Sequence, residues 1–254
     1  MRFFNTAGPV DCQRHYCLPP LQRFDLSEVE MLIEQQKYFV LHAPRQTGKT
    51  SCLLALMDYL NEQGRYRAVY CNVEPAQAAR EDVAQAMNDI LREMARSAQI
   101  YLKDNFLDQN KYHFLERGGH GTALSSALSA WAEGSDKPLI ILMDEIDSLI
   151  GDSLISVLRQ LRAGYTRRPE YFPQSIVLCG VRDVRDYRIH SSATKEVITG
   201  GSAFNIKAKS LRLGDFIKPE VESILAQHTE ETGQKFTSEA VTCIWHLSQG
   251  QPWL

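Results

Sequence analysis

Apolar and polar positions alternate along this chain between short buried runs and longer amphipathic stretches. Leu26, Val29, Leu32 and Ile33 recur at helical spacing behind Asp25, a capping residue, so a helix is predicted that ends near Gln36. Tyr38, Phe39, Val40 and Leu41 then form a compact apolar run suited to a strand buried on both faces. Leu53, Leu54, Leu56, Met57 and Leu60 return to helical spacing until Gly64 stops them. A second strand is predicted over Tyr66 to Val73, with Glu74 at its end, and a long amphipathic helix from Glu81 to about Leu102 through Val83, Met87, Ile90, Leu91 and Met94. Residues 103–121, rich in Asp, Asn, Lys and Gly, have the composition of an exposed insertion. Thr122 to Glu133 is helical again, with Leu124, Leu128 and Trp131 on one side.

Leu139 to Met143 is a continuous apolar run, hence a strand covered on both faces, and it ends in Asp144, Glu145, Ile146 and Asp147. Asp152 or Ser153 can cap a helix running to Gly164, with Leu154, Val157, Leu158 and Leu161 inward. A further apolar strand, Ser175 to Gly180, follows the turn around Pro169 and Pro173. Thr194 to Phe204, small and polar with paired glycines, is expected to be a mobile loop, and Ser210 to Leu213 a last short strand. Two helices follow, one from Pro219 closed by Gly233, the other from Ser238 to about Ser248, burying Val241, Ile244, Trp245 and Leu247. Before all of these, residues 1–23 read as an irregular extended lead-in broken by Gly8, Pro9, Pro19 and Pro20.

Length and charge narrow the picture only a little. At 254 residues the chain can hold one large α/β core, or one core plus a small appendage. A 44% hydrophobic and 23% charged composition is that of an ordinary soluble protein, and a net charge of −3 makes no global case for nucleic acid or membrane. No apolar run approaches the ~18 residues of a membrane span, and the N-terminus lacks a signal-like core, so a cytoplasmic location is the default. The six cysteines are scattered, which fits buried thiols in a reducing compartment better than a disulfide framework. Cys12, His15 and Cys17 stand close enough for a metal, but no matching second pair follows, and a plain loop is the alternative.

The chemistry concentrates after two of the strands. Ala43, Pro44, Arg45, Gln46, Thr47, Gly48, Lys49 and Thr50 have the spacing of a phosphate-binding loop, with Ala43 where the usual pattern has its first glycine. A loop that opens a helix aims unpaired N–H groups at one point, and the helix dipole adds partial positive charge there. Lys49 would reach the terminal phosphates and Thr50 would give its hydroxyl to Mg²⁺, with Ser51 next in the same turn. Ala43 is compatible with this only if it keeps φ below zero. The alternative is an ordinary strand-to-helix turn with a solvated lysine. Asp144 fits as the residue that orients Mg²⁺, and Glu145 as the base for an attacking water, whereas Asp144 and Asp147 could also be plain caps. Each half strengthens the other, because a metal-nucleotide site needs both.

Three further features are weaker. Arg182, just past the Ser175 to Gly180 strand, could feel a γ-phosphate or pair with Asp183 or Asp186. Tyr16 could cover a purine ring or simply be buried. From Arg159 to Arg188 seven arginines face three acidic residues, which suits a finger for a neighbouring subunit, a nucleic-acid contact or a solvated face.

The loop at 43–50, the run Leu139 to Asp147, the Gly180 to Asp183 stretch, Phe4 to Val10, Ser210 to Gly214 and Gly250 to Pro252 together resemble the AAA-like ATPase domains of prokaryotes. That group is related to the signal-transduction ATPases with numerous domains and to the origin-recognition type. The resemblance implies a P-loop NTPase three-layer sandwich, a central parallel sheet of order 5-1-4-3-2, and ATP with Mg²⁺ as ligands. It places Arg182 at the sensor position, and Gly250 and Pro252 in a motif whose proline approaches the adenine. It implies a lead-in over 1–23, an ATPase core over 24–214, and the start of a small helical unit over 215–254. A proline set for a helix start at position 252, two residues before the chain stops, suggests a piece of a longer protein. The expected activity is ATP hydrolysis in a regulatory switch. The rivals are a small-molecule phosphotransferase, a DNA-dependent ATPase of replication, mobile elements or defence, and a scaffold that holds nucleotide without turnover. A homo-oligomer or a partner protein fits the group, and DNA remains open.

Overall fold

In the computed structural model, residues 1–191 and 197–252 are described. The lead-in ends in a 3₁₀ turn, Pro20–Arg23, and α1 (Leu26–Glu34) follows, its first turn capped by the Asp25 carboxylate on the Glu28 N–H. Next come β1 (Tyr38–His42), α2 (Lys49–Glu62), β2 (Arg67–Asn72), α3 (Val83–Leu102), α4 (Phe106–Gly118) and α5 (Ala123–Glu133). The second half contains β3 (Leu139–Asp144), α6 (Gly151–Ala163), β4 (Ser175–Gly180), β5 (Arg188–His190), β6 (Val197–Thr199), α7 (Gly200–Ala203), β7 (Lys207–Arg212), α8 (Lys218–Thr232) and α9 (Ser238–Ser248).

Five strands form one parallel sheet in the order β2-β3-β4-β1-β7, the arrangement the resemblance implies. Period-2 alternation divides each strand between two cores. Val40, Val69, Ile141, Met143 and Leu178 face a cluster built from α3, α5 and α6. Phe39, Leu41, Tyr70, Ile140, Leu142 and Cys179 face α1 and α2. Both faces being covered, β3 and β4 are buried at every position, which is why their sequences read as unbroken apolar runs. The edge strand β7 is instead half-exposed and carries Lys207, Lys209 and Arg212, charges that discourage a further strand from pairing there.

Several expectations need correction. Residues 103–121 are largely exposed, as expected, but most of them form α4, whose Leu107 is buried and whose Phe106, Phe114 and Leu115 pack on the larger cluster. Those few apolar side chains were hidden among polar neighbours. Of the stretch expected to be a mobile loop, residues 194–196 lie outside the described residues, and the remainder is ordered as β6, paired antiparallel with β5, and the turn α7. Gly200 serves close packing there, since a Cβ would lie 1.8 Å from the Val184 carbonyl oxygen. Helix α6 begins at Gly151 without a side-chain cap, and the Asp152 carboxylate accepts from Ser191 Oγ. On α9, Val241, Ile244 and Trp245 are half-buried and Leu247 is 71% exposed.

Cysteine usage also differs from expectation. Cys12 and Cys17 are joined in a disulfide, and His15 Nδ1 accepts the Asp11 N–H, so this trio is a closed loop and not a zinc site. Cys52, Cys71 and Cys179 are buried thiols as expected, and Cys243 is exposed. Among the described residues, no helix is long and apolar enough to cross a membrane. Of the seven clustered arginines, Arg167 lies over the Phe172 ring, Arg168 over Tyr165 and Tyr38, and Arg162 donates to the Ser202 carbonyl. These three are occupied within the chain.

Candidate functional site

The carboxyl ends of β1, β3 and β4 lie together because parallel strands in register must end on one edge. The Ala43 N–H continues the ladder onto the Gly180 carbonyl at 3.2 Å, and only then does the chain leave the sheet. Ala43 keeps a negative φ; the left-handed positions of this loop are Gln46 (φ 62°) and Gly48 (φ 87°). A methyl group is therefore tolerated where a glycine is usual, and the left-handed residue directly preceding α2 is a glycine.

Within the loop, Thr47 Oγ1 donates to the Pro44 carbonyl at 2.8 Å and closes the turn. Lys49 is 6% exposed, and its Nζ donates to the carbonyls of Ala43 (3.1 Å) and Pro44 (3.0 Å). An ammonium has three donors, so one direction is left for a ligand. The first-turn N–H groups of α2 start beside it, where the helix dipole favours an anion.

Thr50 and Asp144 meet. They are 94 residues apart in sequence, yet Thr50 Oγ1 donates to Asp144 Oδ2 at 2.7 Å. Tyr70 OH donates to the same oxygen at 3.1 Å, and the Glu145 N–H to Oδ1 at 2.9 Å. Asp144 is fully buried, and among the described residues no Lys, Arg or His nitrogen lies within 4.0 Å of its carboxylate. A buried carboxylate balanced by hydrogen bonds alone, beside a hydroxyl, is a hard-oxygen pair that suits a magnesium ion retaining several waters. Burial and the neighbouring Asp144 push the Cys179 thiol well up, and burial with Asp144 does the same to the Tyr70 phenol.

Glu145 takes a left-handed backbone (φ 57°, ψ 40°) as the chain turns off β3. Its carboxyl is pushed up from the ordinary glutamate value first by burial, then by Asp144 and Asp147, with Glu74 adding to them and Lys49 opposing. A raised carboxylate is a better proton acceptor near neutral pH than an ordinary one.

A cavity of about 760 Å³ opens over these groups. Of the residues singled out from sequence, Arg45, Gln46, Gly48, Lys49, Thr50, Ser51, Glu145, Tyr16 and Pro252 line it. Ala43, Pro44, Thr47 and Asp144 do not reach the lining, and Arg182 is exposed and also outside it. Asp183, the partner considered for Arg182, binds Lys207 Nζ. Its lining combines polar groups, Lys49, Thr50, Glu74 and Glu145, with apolar ones, Val10, Leu18, Val221, Leu225, Phe236 and Ile244. Ser51 Oγ also accepts the Val10 N–H at 2.9 Å, which draws the lead-in across the opening. Tyr16 both lines the cavity and is buried, its ring against Phe4 and His228.

Sequence reasoning missed Glu74, Arg23 and Phe216. Glu74 carried a signal, since it follows a strand whose carboxyl end shares the edge with Asp144. Arg23 and Phe216 carried none.

No family profile matches the chain, and no curated protein matches it. Solved structures do. Cdc6p from Pyrobaculum aerophilum superimposes with a TM-score of 0.51 at 17% identity, over 85% of this chain and 50% of that one. The Aeropyrum pernix Orc1 protein, in complex with DNA, superimposes with a TM-score of 0.50 at 18% identity, over 93% and 57%. The present chain thus spans about half the length of the structures it matches. At this identity the likeness shows the fold alone, a helix-flanked parallel sheet of the predicted order.

Proposed function

We propose that the chain binds ATP with Mg²⁺, hydrolyses it, and uses the cycle as a regulatory switch. The observation that carries this reading is the 2.7 Å contact between Thr50 and Asp144 under the start of a glycine-led helix. It joins an anion-binding helix end to a buried carboxylate, the two halves a metal-bound polyphosphate requires. The apolar part of the cavity lining, with Tyr16, Leu18 and Pro252, has the character expected around a base.

Thr50 and Asp144 would hold the magnesium ion, which when bound supplies positive charge to the phosphate oxygens. The loop N–H groups and the α2 dipole bind the phosphates, and Lys49 neutralises charge that grows on them. Glu145 aligns a water molecule and accepts its proton. Arg182, offered above as a γ-phosphate sensor, would have to move to act, since it is exposed and does not line the cavity.

The decisive variant is Glu145→Gln. It is expected to bind ATP as the unaltered chain does and to turn it over at least ~10²-fold more slowly, as befits a general base. Unchanged steady-state phosphate release would remove Glu145 from the mechanism. A wild-type chain that binds ATP and releases no phosphate would instead be the non-hydrolysing scaffold. A second reading, ATP turnover dependent on DNA, is favoured by the Orc1 neighbour, which was captured on DNA. Stimulation of phosphate release by duplex DNA would select it, and a partner protein or a second copy of the chain is assayed in the same way.

A further inference from the structure

Arg23 joins two parts of the molecule that are far apart along the chain. It closes the 3₁₀ turn before α1, and its Nη1 donates to the Thr47 carbonyl of the phosphate loop at 3.3 Å. Its Nη2 donates to the Gly214 carbonyl at 2.6 Å, and its Cζ lies 4.3 Å from the centre of the Phe216 ring. Gly214 and Phe216 belong to the segment between β7 and α8, where the C-terminal helices leave the sheet.

That segment is fastened on two other sides. The Leu213 N–H bonds the His42 carbonyl at 3.0 Å, and the Phe216 N–H bonds the Gly250 carbonyl at 2.7 Å. The Ile217 N–H donates to Glu220 Oε2 at 2.7 Å. These bonds tie the segment to β1 and to the two C-terminal helices. The guanidinium adds the phosphate loop.

Two features distinguish this contact from ordinary packing. First, the partners of Arg23 are neutral carbonyls, and among the described residues no carboxylate lies within 4.0 Å of it. Burial lowers its pKa, with Asp215 and Glu220 opposing from farther away, yet a guanidinium remains charged and its bonds to carbonyls are charge-assisted. Second, both bonds leave one rigid planar group. Its fork thus places the Thr47 and Gly214 carbonyls on one shared element, with less torsional freedom between the two bonds than two separate side chains would leave. Thr47 precedes Gly48 and Lys49, so filling of the loop acts next to it, while Arg23 and Phe216 themselves line the cavity.

We propose that Arg23 is a positioning residue that couples occupancy of the phosphate loop to the way α8 and Phe216 close over the cavity. The proposal rests on the nucleotide reading above. Hydrogen exchange at the Phe216 and Ile217 amides, with and without Mg²⁺ and ATP, reads the coupling, and calorimetry on the same samples reads binding.

In the unaltered chain ATP is expected to slow exchange at both amides by about tenfold or more. In Arg23→Gln, binding should stay within roughly tenfold while the nucleotide-dependent slowing disappears. Arg23→Lys keeps the charge without the fork, so it should bind ATP as Arg23→Gln does or better and recover only part of the slowing. Should Arg23→Gln not fold, Arg23→Lys alone decides. Full slowing in either variant overturns the proposal, and so does a loss of affinity beyond roughly a hundredfold, which would make Arg23 a ligand contact. Failure of the unaltered chain to bind ATP strikes the nucleotide reading itself and is seen before any variant is made.

Discussion

Lys49→Ala puts the phosphate loop to its most direct test. Lys49 is 6% exposed, and its ammonium spends two of its three donors on the carbonyls of Ala43 and Pro44. A phosphate oxygen can take the third without breaking either bond, so the gain on binding is not offset by a loss in the loop. At ~4 Å and an effective dielectric of ~20, one charge pair is worth ~4 kcal/mol. Since ~1.4 kcal/mol is a factor of ten, removing the ammonium should weaken Mg²⁺-ATP binding by ~10³-fold. The same substitution strips two loop carbonyls of a donor, and an unsatisfied buried polar group costs about 1–3 kcal/mol, so a lower melting temperature is also expected. Titration calorimetry should therefore be run well below that temperature, with the fold checked by circular dichroism. A folded Lys49→Ala protein whose affinity falls by less than about tenfold would refute the argument that this charge faces the phosphates.

Two further outcomes follow from particular contacts. Thr50→Val removes one hydroxyl and keeps the shape, so binding of nucleotide should require roughly ten- to a hundredfold more Mg²⁺, and an unchanged Mg²⁺ titration would separate Thr50 from the metal. Asp104 accepts from Arg67 Nη2 at 2.6 Å, Trp131 Nε1 at 2.9 Å and the Phe106 N–H at 2.8 Å. Burial pushes its carboxyl up, but these three donors outweigh burial and hold it below the ordinary aspartate value of 3.8. A pKa lowered by folding contributes stability that is present above the unfolded value and lost as pH falls through the folded one. Thus the stability difference between the unaltered chain and Asp104→Asn should shrink as pH falls below about 3.8, and a pH-independent difference in chemical denaturation would contradict it.

Much of the central sheet was legible because its strands are buried on both faces. Leu139 to Met143 and Ser175 to Gly180 could only be apolar runs, and the carboxylates at the end of the first had to lie on the carboxyl edge of the sheet. The loop from Ala43 to Thr50 was equally visible, since the phosphate-loop pattern it matches has fixed residue types at fixed spacing. Helix α4 was not legible: its burial rests on Phe106, Leu107, Phe114 and Leu115, too few apolar positions to outweigh a polar composition. The Cys12–Cys17 bridge and the pairing of β5 with β6 likewise depend on partners that composition does not reveal.

What the linear chain determined by itself was local: where most strands and helices lay, where the loop at 43–50 began, and which carboxylates ended a strand. Only tertiary structure decided the meetings. The sheet order brings Thr50 within 2.7 Å of Asp144, and the fold of the lead-in and the C-terminal helices carries Arg23 to both Thr47 and Gly214. Periodicity and spacing record how a residue relates to its near neighbours. Contacts between residues tens to nearly two hundred positions apart are set by how whole elements pack, and no local pattern carries that information.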